Sequence, residues 1–265
     1  MIIGIDIGGT EIKAGIVFGN KVLKKVVVRT GKTRKEIIKN ILNSVEALFD
    51  KKVKAIVVGC PGPADYKKGV IGDTPNLPLR GINLKKIISK KFRKKVLMQN
   101  DAGCFVLGEA IRLGKKDVVG LTLGSGVGGG IVINGRLYTG KGNAGHIGHC
   151  TIKFDGPKLG FNQGSLESYV SAKAIKRDYG KEPKDLSSRK AWDEIGMKIG
   201  AGVANLINTF DPEAVVLGGG ISKSFDLFKR SMHSEIKKRA IRNVPVVRGN
   251  ENSGILGAAL IAQRL

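Results

Sequence analysis

The sequence predicts an α/β protein of two similar lobes facing each other across a cleft, and three observations predict it. Short apolar runs bounded by Gly, Asn and Pro alternate with helical segments along the chain. A unit of strand, glycine-rich turn and strand at the start returns near the middle. Val118-Val119-Gly120-Leu121-Thr122-Leu123-Gly124-Ser125-Gly126 matches Ile2-Ile3-Gly4-Ile5-Asp6-Ile7-Gly8-Gly9-Thr10 position by position. The length, 265 residues, is enough for two modest cores.

The elements follow in order. Ile2 to Ile7 reads as a buried strand ending in Gly8-Gly9-Thr10. Ile12 to Phe18 and Val22 to Val28 read as the next two strands, turned by Gly19-Asn20. Thr33 and Glu36 form a capping box for a helix reaching about Phe49. Val53 to Val58 is a strand, and Gly59 to Gly81, with Pro61, Pro63, Pro75 and Pro78, is loop. A basic helix over about Asn83 to Phe92 precedes a short strand, Val96 to Gln99, and a helix from Asp101 to Leu113. In the second half, the repeated unit turns at Asn134-Gly135. A long helix from Arg189 to Phe210 leads to a strand from Ala214 to Leu217 and the turn Gly218-Gly219-Gly220. A helix from Ser224 to Ala240, a strand from Val244 to Val247 and a buried apolar helix from Gly254 complete the chain. The expected lobes are 1–113 plus 252–265, and 114–251.

Bulk properties narrow the function. Lys and Arg number 46 against 22 Asp and Glu, a net charge of +24, and such a surface attracts anions. The cations are spread along the chain and no aromatics are interleaved with them, so a base-stacking nucleic-acid surface is not expected. Cys60, Cys104 and Cys150 are far apart with no CxxC spacing. A disulfide framework is therefore not expected, and a cytoplasmic setting fits. The chain opens directly on a strand without the charged and apolar regions of a signal peptide, and no apolar run is long enough to cross a bilayer.

Several residues could carry chemistry. In Asp6-Ile7-Gly8-Gly9-Thr10 the glycines admit a phosphate to the backbone, and Asp6, at a strand's carboxyl end, can hold Mg²⁺ through water; equally, it can cap its own turn. Gly124 to Gly130 carries five further glycines in addition to Ser125 and Val127. That density costs backbone entropy and points to binding, although no GK[ST] follows. Gly218-Gly219-Gly220 could receive an adenosine. Asp101 is either a helix N-cap or a general base that takes a proton from an attacking hydroxyl. His146 and His149 suit polar contacts to sugar hydroxyls better than a metal, because only Cys150 stands near them. Glu167 is a surface charge or a similar contact, and His233 is a surface residue.

Taken together, Asp6 to Thr10, Cys60-Pro61-Gly62-Pro63, Pro75-Asn76-Leu77-Pro78, Asn100-Asp101-Ala102, Gly124 to Gly130, Ala144 to His149, Asn205 to Glu213, Leu217 to Gly220 and Leu256-Gly257-Ala258-Ala259 resemble the ROK family of repressors, uncharacterised reading frames and sugar kinases. The resemblance runs from Ile2 almost to the C-terminus. It implies an actin-like ATPase fold, two ribonuclease-H-like lobes closing on ATP, Mg²⁺ and a sugar, in a protein expected to form a homodimer. It makes Asp101 the catalytic base. It places Gly62, Asn76, Asn100, Asp101, His146, His149 and Glu167 around the sugar, Gly8, Gly9, Thr10, Gly124, Ser125 and Gly126 at the phosphates, and Gly218 and Gly219 near the adenosine.

Four departures from the family pattern stand out. Members usually carry a Cys-rich zinc loop after the equivalent of His149. Here Asp155 to Ser165 has no cysteine, so no structural zinc site is expected and local packing must hold Glu167. His146 stands where many glucokinases of the family have Glu, which looks more like the N-acetylmannosamine kinases. Glu11 replaces a frequent Lys and Gly103 a frequent Asn. The expected activity is ATP:hexose phosphotransfer, with glucose first and N-acetylmannosamine, N-acetylglucosamine or fructose next. The alternatives are a polyphosphate-dependent glucokinase and a non-enzymatic sugar-sensing regulator. Regulators of the family usually carry a helix-turn-helix, for which a strand starting at Ile2 leaves no room.

Overall fold

The computed structural model describes residues 1–74, 77–159 and 162–263. Strands β1 (Ile2–Ile7), β2 (Glu11–Phe18) and β3 (Lys21–Arg29) form an antiparallel meander. Helix α1 (Arg34–Glu46) leads to β4 (Ala55–Cys60), a small hairpin of β5 (Ala64–Asp65) and β6 (Val70–Ile71), α2 (Leu84–Phe92), β7 (Lys95–Asn100) and α3 (Asp101–Leu113). β8 (Val118–Leu123), β9 (Val127–Ile133) and β10 (Arg136–Leu137) form a second meander. A hairpin of β11 (Lys158–Leu159) and β12 (Asn162–Gln163) precedes α4 (Glu167–Val170), α5 (Ala172–Tyr179), α6 (Arg189–Phe210), β13 (Ala214–Gly218), α7 (Phe225–Arg239), β14 (Val246–Arg248) and α8 (Ser253–Gln263).

The two large sheets have one topology. The first runs β3-β2-β1-β4-β7 and the second β10-β9-β8-β13-β14. In each, a meander is extended by two strands parallel to its first member. The registers also correspond. Gly4 pairs with Gly15 in the first sheet, and Gly120 with Gly130 in the second. The duplication visible in the sequence is therefore a duplication of the fold, and the architecture is the actin-like one.

Each half sends its last helix onto the other half's sheet. A Cβ on Gly4 would press on the Ile255 backbone of α8, and a Cβ on Gly130 would stand 2.9 Å from the Gly103 Cα of α3. The paired glycines are the seats for these two helices. The helices also lie against each other, with Gly108 of α3 at the Ser253 backbone and Gly257 of α8 at the Cys104 backbone. Buried Glu109 secures the crossing. It accepts from the Asn250 N–H (2.7 Å), from Ser253 Oγ and from the Arg112 guanidinium (2.6 and 3.0 Å). One apolar core lies between the first sheet and α1 and α2, another between the second sheet and α6 and α7 with Trp192 and Phe228 at its centre, and a third around α3 and α8. The carboxyl ends of β1, β4, β7, β8 and β13 all end in the glycine turns and polar residues singled out in the sequence, the usual location of ligand sites in such sheets.

Local signals set the element ends. Thr33 and Glu36 make the reciprocal capping box of α1, and Gly114 closes α3 in the left-handed conformation. At the start of α3 the cap is Asn100, whose Oδ1 accepts from the Gly103 N–H (2.9 Å). The N-cap alternative for Asp101 is therefore corrected: Asp101 is the first helical residue and its carboxylate is not spent on capping.

Candidate active site

Asp6 and Asp101 lie at the carboxyl ends of β1 and β7. Asp6 pairs with Gly59 across β1 and β4, and Gly59 with Gln99 across β4 and β7, which places Asp101 just beyond the same row. A Cβ on Gly59 would lie 3.3 Å from Cys104 Sγ and 3.5 Å from Asp101 Cα, so a bare backbone here lets the head of α3 come close to the sheet. Desolvation raises the Asp101 pKa to about 7; Asp6 adds to this, and the first-turn amides of Asp101 and Ala102 oppose it. Desolvation likewise raises Asp6 to about 6, against the pull of Lys13. Lys13 is the cross-strand partner of Asp6. The reading of the sequence missed it, although spacing along a two-residue hairpin turn could have revealed it.

A second group gathers around Gly62. A Cβ there would stand 2.9 Å from Tyr66 Oη, 3.4 Å from His146 Cε1 and 3.6 Å from Asn100 Nδ2. Asn100 Nδ2 donates to Tyr66 Oη (3.2 Å). The His146 and His149 rings stack with centroids 5.8 Å apart, and burial followed by the neighbouring His149 lowers the His146 pKa. Gly62, Asn100, His146 and His149 thus converge, and Tyr66, absent from the sequence prediction, sits among them. Nothing local marks this tyrosine, because it meets Asn100 from 34 residues away. Asn76 lies outside the described residues.

Glu167 is placed differently. Its Oε2 accepts from the Val127 N–H (2.7 Å), and a Cβ on Gly126 would meet that oxygen at 2.6 Å. Glu167 therefore adjoins the second glycine turn. Its segment is held by hydrogen bonds within itself and to the 149–150 segment. Ser165 Oγ and Ser168 Oγ, both buried, share a hydrogen bond of 2.8 Å. The Leu166 N–H donates to the Cys150 carbonyl (2.9 Å), and Asn162 Nδ2 to the His149 carbonyl (2.9 Å). Among the described residues no three His, Cys, Asp or Glu side chains cluster as a metal site.

The glycine turns leave backbone exposed. In the first, Gly8 donates to the Glu11 carbonyl (2.9 Å), the Thr30 hydroxyl donates to the Gly8 carbonyl (2.7 Å), and Gly9 and Thr10 are exposed. In the second, the Gly124 N–H reaches the Gly126 carbonyl (2.9 Å), Ser125 is exposed, and a Cβ on Gly124 would enter open space. The remaining glycines of that run have packing reasons. Gly128 faces Ala102 (3.0 Å), Gly129 the Gly145 carbonyl (2.7 Å) and Gly130 the head of α3. The density of glycine in the sequence thus has two causes, and only residues 124–126 form the turn. In the third turn Gly218 rests on the Phe105 ring, Gly219 has φ +84°, a conformation suited to glycine, and a Cβ on Gly220 would meet nothing.

Comparison with known proteins agrees with this fold. The chain is 32% identical to the glucokinase of Thermotoga maritima, covering 98% of this chain and 96% of that protein. It is 30% identical to the N-acetyl-D-glucosamine kinase of Aliivibrio salmonicida, covering 98% and 99%. Its fold superposes on a ROK family glucokinase from Streptomyces griseus, solved in complex with glucose and AMPPNP, with a TM-score of 0.87 at 28% identity over 100% and 99% of the two chains. Residues 2–265 match the model of the ROK family, and the chain belongs to that family.

Proposed function

We propose that this protein is an ATP-dependent sugar kinase that transfers the γ-phosphoryl group to a hexose hydroxyl, with glucose as the first candidate. The observation that carries the reading is Asp101: a carboxyl at the head of a helix, relieved of capping by Asn100, with its pKa raised to about 7 beside Asn100 and the Gly62 group. A general base works best when its pKa lies near the working pH. The sugar oxygen attacks the γ-phosphorus and its proton passes to the Asp101 carboxylate. The new P–O bond forms as the bond to the β-phosphate oxygen breaks, and ADP leaves with that electron pair. The turns at 8–10 and 124–126 bind the phosphates through exposed backbone, and Gly218 and Gly219 receive the adenosine. Closure of the lobes, 1–113 plus 252–265 against 114–251, excludes water and so protects ATP from hydrolysis.

Two partly desolvated carboxylates side by side fit a hard cation, with Asp6 holding Mg²⁺ through water. When bound, the ion neutralises phosphate charge. His146, 3.4 Å from the position a Gly62 Cβ would take, stands where many glucokinases of the family have Glu, and this favours an N-acetylhexosamine as the second reading. A cytoplasmic homodimer belongs to the same proposal.

The test is ADP release from Mg-ATP with glucose, mannose, fructose, N-acetylglucosamine and N-acetylmannosamine, against a no-sugar control and Asp101→Asn. We expect sugar-dependent release with one or two of the sugars, reduced about 100- to 10,000-fold in Asp101→Asn. No release with any sugar by protein that binds ATP would overturn the assignment of a hexose, and an active Asp101→Asn would remove Asp101 from its role.

A further inference from the structure

We infer that Tyr66 is a sugar-contacting specificity residue, donating its phenolic proton to a hexose hydroxyl at the end of the sugar held by Asn100; this rests on the kinase reading above. The Gly103 N–H fixes Asn100 Oδ1 as an acceptor, which leaves Nδ2 as the end of the amide facing Tyr66. Tyr66 Oη must therefore accept that bond with a lone pair, and its own proton has to go elsewhere. Among the described residues, the one hydrogen bond of Tyr66 Oη is the one it accepts from Asn100. The side chain is only 8% exposed, so bulk water does not readily replace the missing partner. Burial, and then the adjacent Cys60, hold the phenol in its protonated, donating form.

The unused proton lies in the right place. Tyr66 Oη, His146 Cε1 and Asn100 Nδ2 surround the position where Gly62 lacks a side chain, at 2.9, 3.4 and 3.6 Å from it. A hydroxyl oxygen of a sugar is the acceptor this arrangement lacks among the described residues. The cap bond at Gly103, the Asn100 amide and the phenol form one directed chain that ends on the ligand. It also leaves Asn100 a second Nδ2 hydrogen for the same sugar.

The experiment compares wild type with Tyr66→Phe, which keeps the ring and removes only the hydroxyl. KM for glucose, KM for ATP and kcat are measured, then kcat/KM for 3-deoxy- and 4-deoxyglucose, with a thermal melt of each protein. We expect the sugar KM to rise about tenfold, the loss of one buried hydrogen bond, with the KM for ATP unchanged and the melts alike. We also expect wild type to discriminate against one of the two deoxy sugars and Tyr66→Phe to lose that discrimination. An unchanged sugar KM, or an equal penalty on glucose and both deoxy sugars, would overturn the proposal while leaving the kinase reading intact. A wild-type protein that phosphorylates none of the sugars would overturn both.

Discussion

Two carboxyl side chains show how a residue's neighbours, more than its identity, decide its chemistry. Asp101 and Glu36 are both carboxyls in the first turn of a helix. Glu36 accepts from the Lys32 and Thr33 amides, and its pKa falls. Asp101 loses more to desolvation and to Asp6 than its amides return, and its pKa rises from an ordinary 3.8 to about 7. Two consequences follow. The sugar kinase kcat/KM should fall about tenfold per pH unit below about pH 7 and level off above it, because only the carboxylate accepts the proton. Stability runs the opposite way. A carboxyl whose folded pKa is raised favours the fold while protonated, so its contribution is complete below about pH 4 and is lost as pH rises through about 7. Asp101→Asn should therefore melt higher than wild type at pH 8, with the difference shrinking toward pH 5, while its turnover stays strongly reduced at pH 8. A lower melting point at pH 8 would show that the charge is compensated in the fold.

At the scale of elements, the crossing of α3 and α8 joins the two halves. Each helix is seated on a pair of cross-strand glycines in the opposite sheet, and the helices meet at Gly108 and Gly257 with almost no side chain between them. This close approach explains why glycine is tolerated in two helix interiors, where it costs about 1 kcal/mol relative to Ala. Gly108→Ala improves local helix propensity but drives a methyl into the Ser253 backbone. We expect it to destabilise the protein by about 1–3 kcal/mol in urea unfolding and to raise both KM values, because it tilts one half against the other. An increase in stability would mean that the helices separate freely.

For the whole molecule, the excess of positive charge matters most. A net +24 on 265 residues repels itself in the compact state, and the ion pairs are mostly exposed and weak. Raising NaCl from about 0.05 to about 0.5 M shortens the screening length and should raise the melting temperature while weakening ATP binding, whose phosphates the same cations attract. Light scattering in that series checks the proposed homodimer, for which the mass should be twice the chain's 28.3 kDa. A melting temperature that falls with salt would show that attraction between surface charges outweighs repulsion.

Much of this protein is determined by local sequence. The capping box at Thr33 and Glu36, the strand-to-glycine endings at Gly8, Gly124 and Gly218, and the repeat at Ile2 and Val118 are interactions or patterns within a few residues, so they can be read without a fold. The tertiary structure decided what meets across long separations. Tyr66 reaches Asn100 from 34 residues away, Glu167 reaches Val127 from 40, and Glu109 joins Asn250 from 141. It also decided that Asn100 caps α3, that Gly128 and Gly130 of the second glycine run serve the packing of α3, and that the last helix of each half lies on the other's sheet. Periodicity and propensity report only on a residue's own neighbourhood. The desolvation that raises the Asp101 pKa and the hydrogen bond from Asn100 to Tyr66 arise only when distant segments close around them.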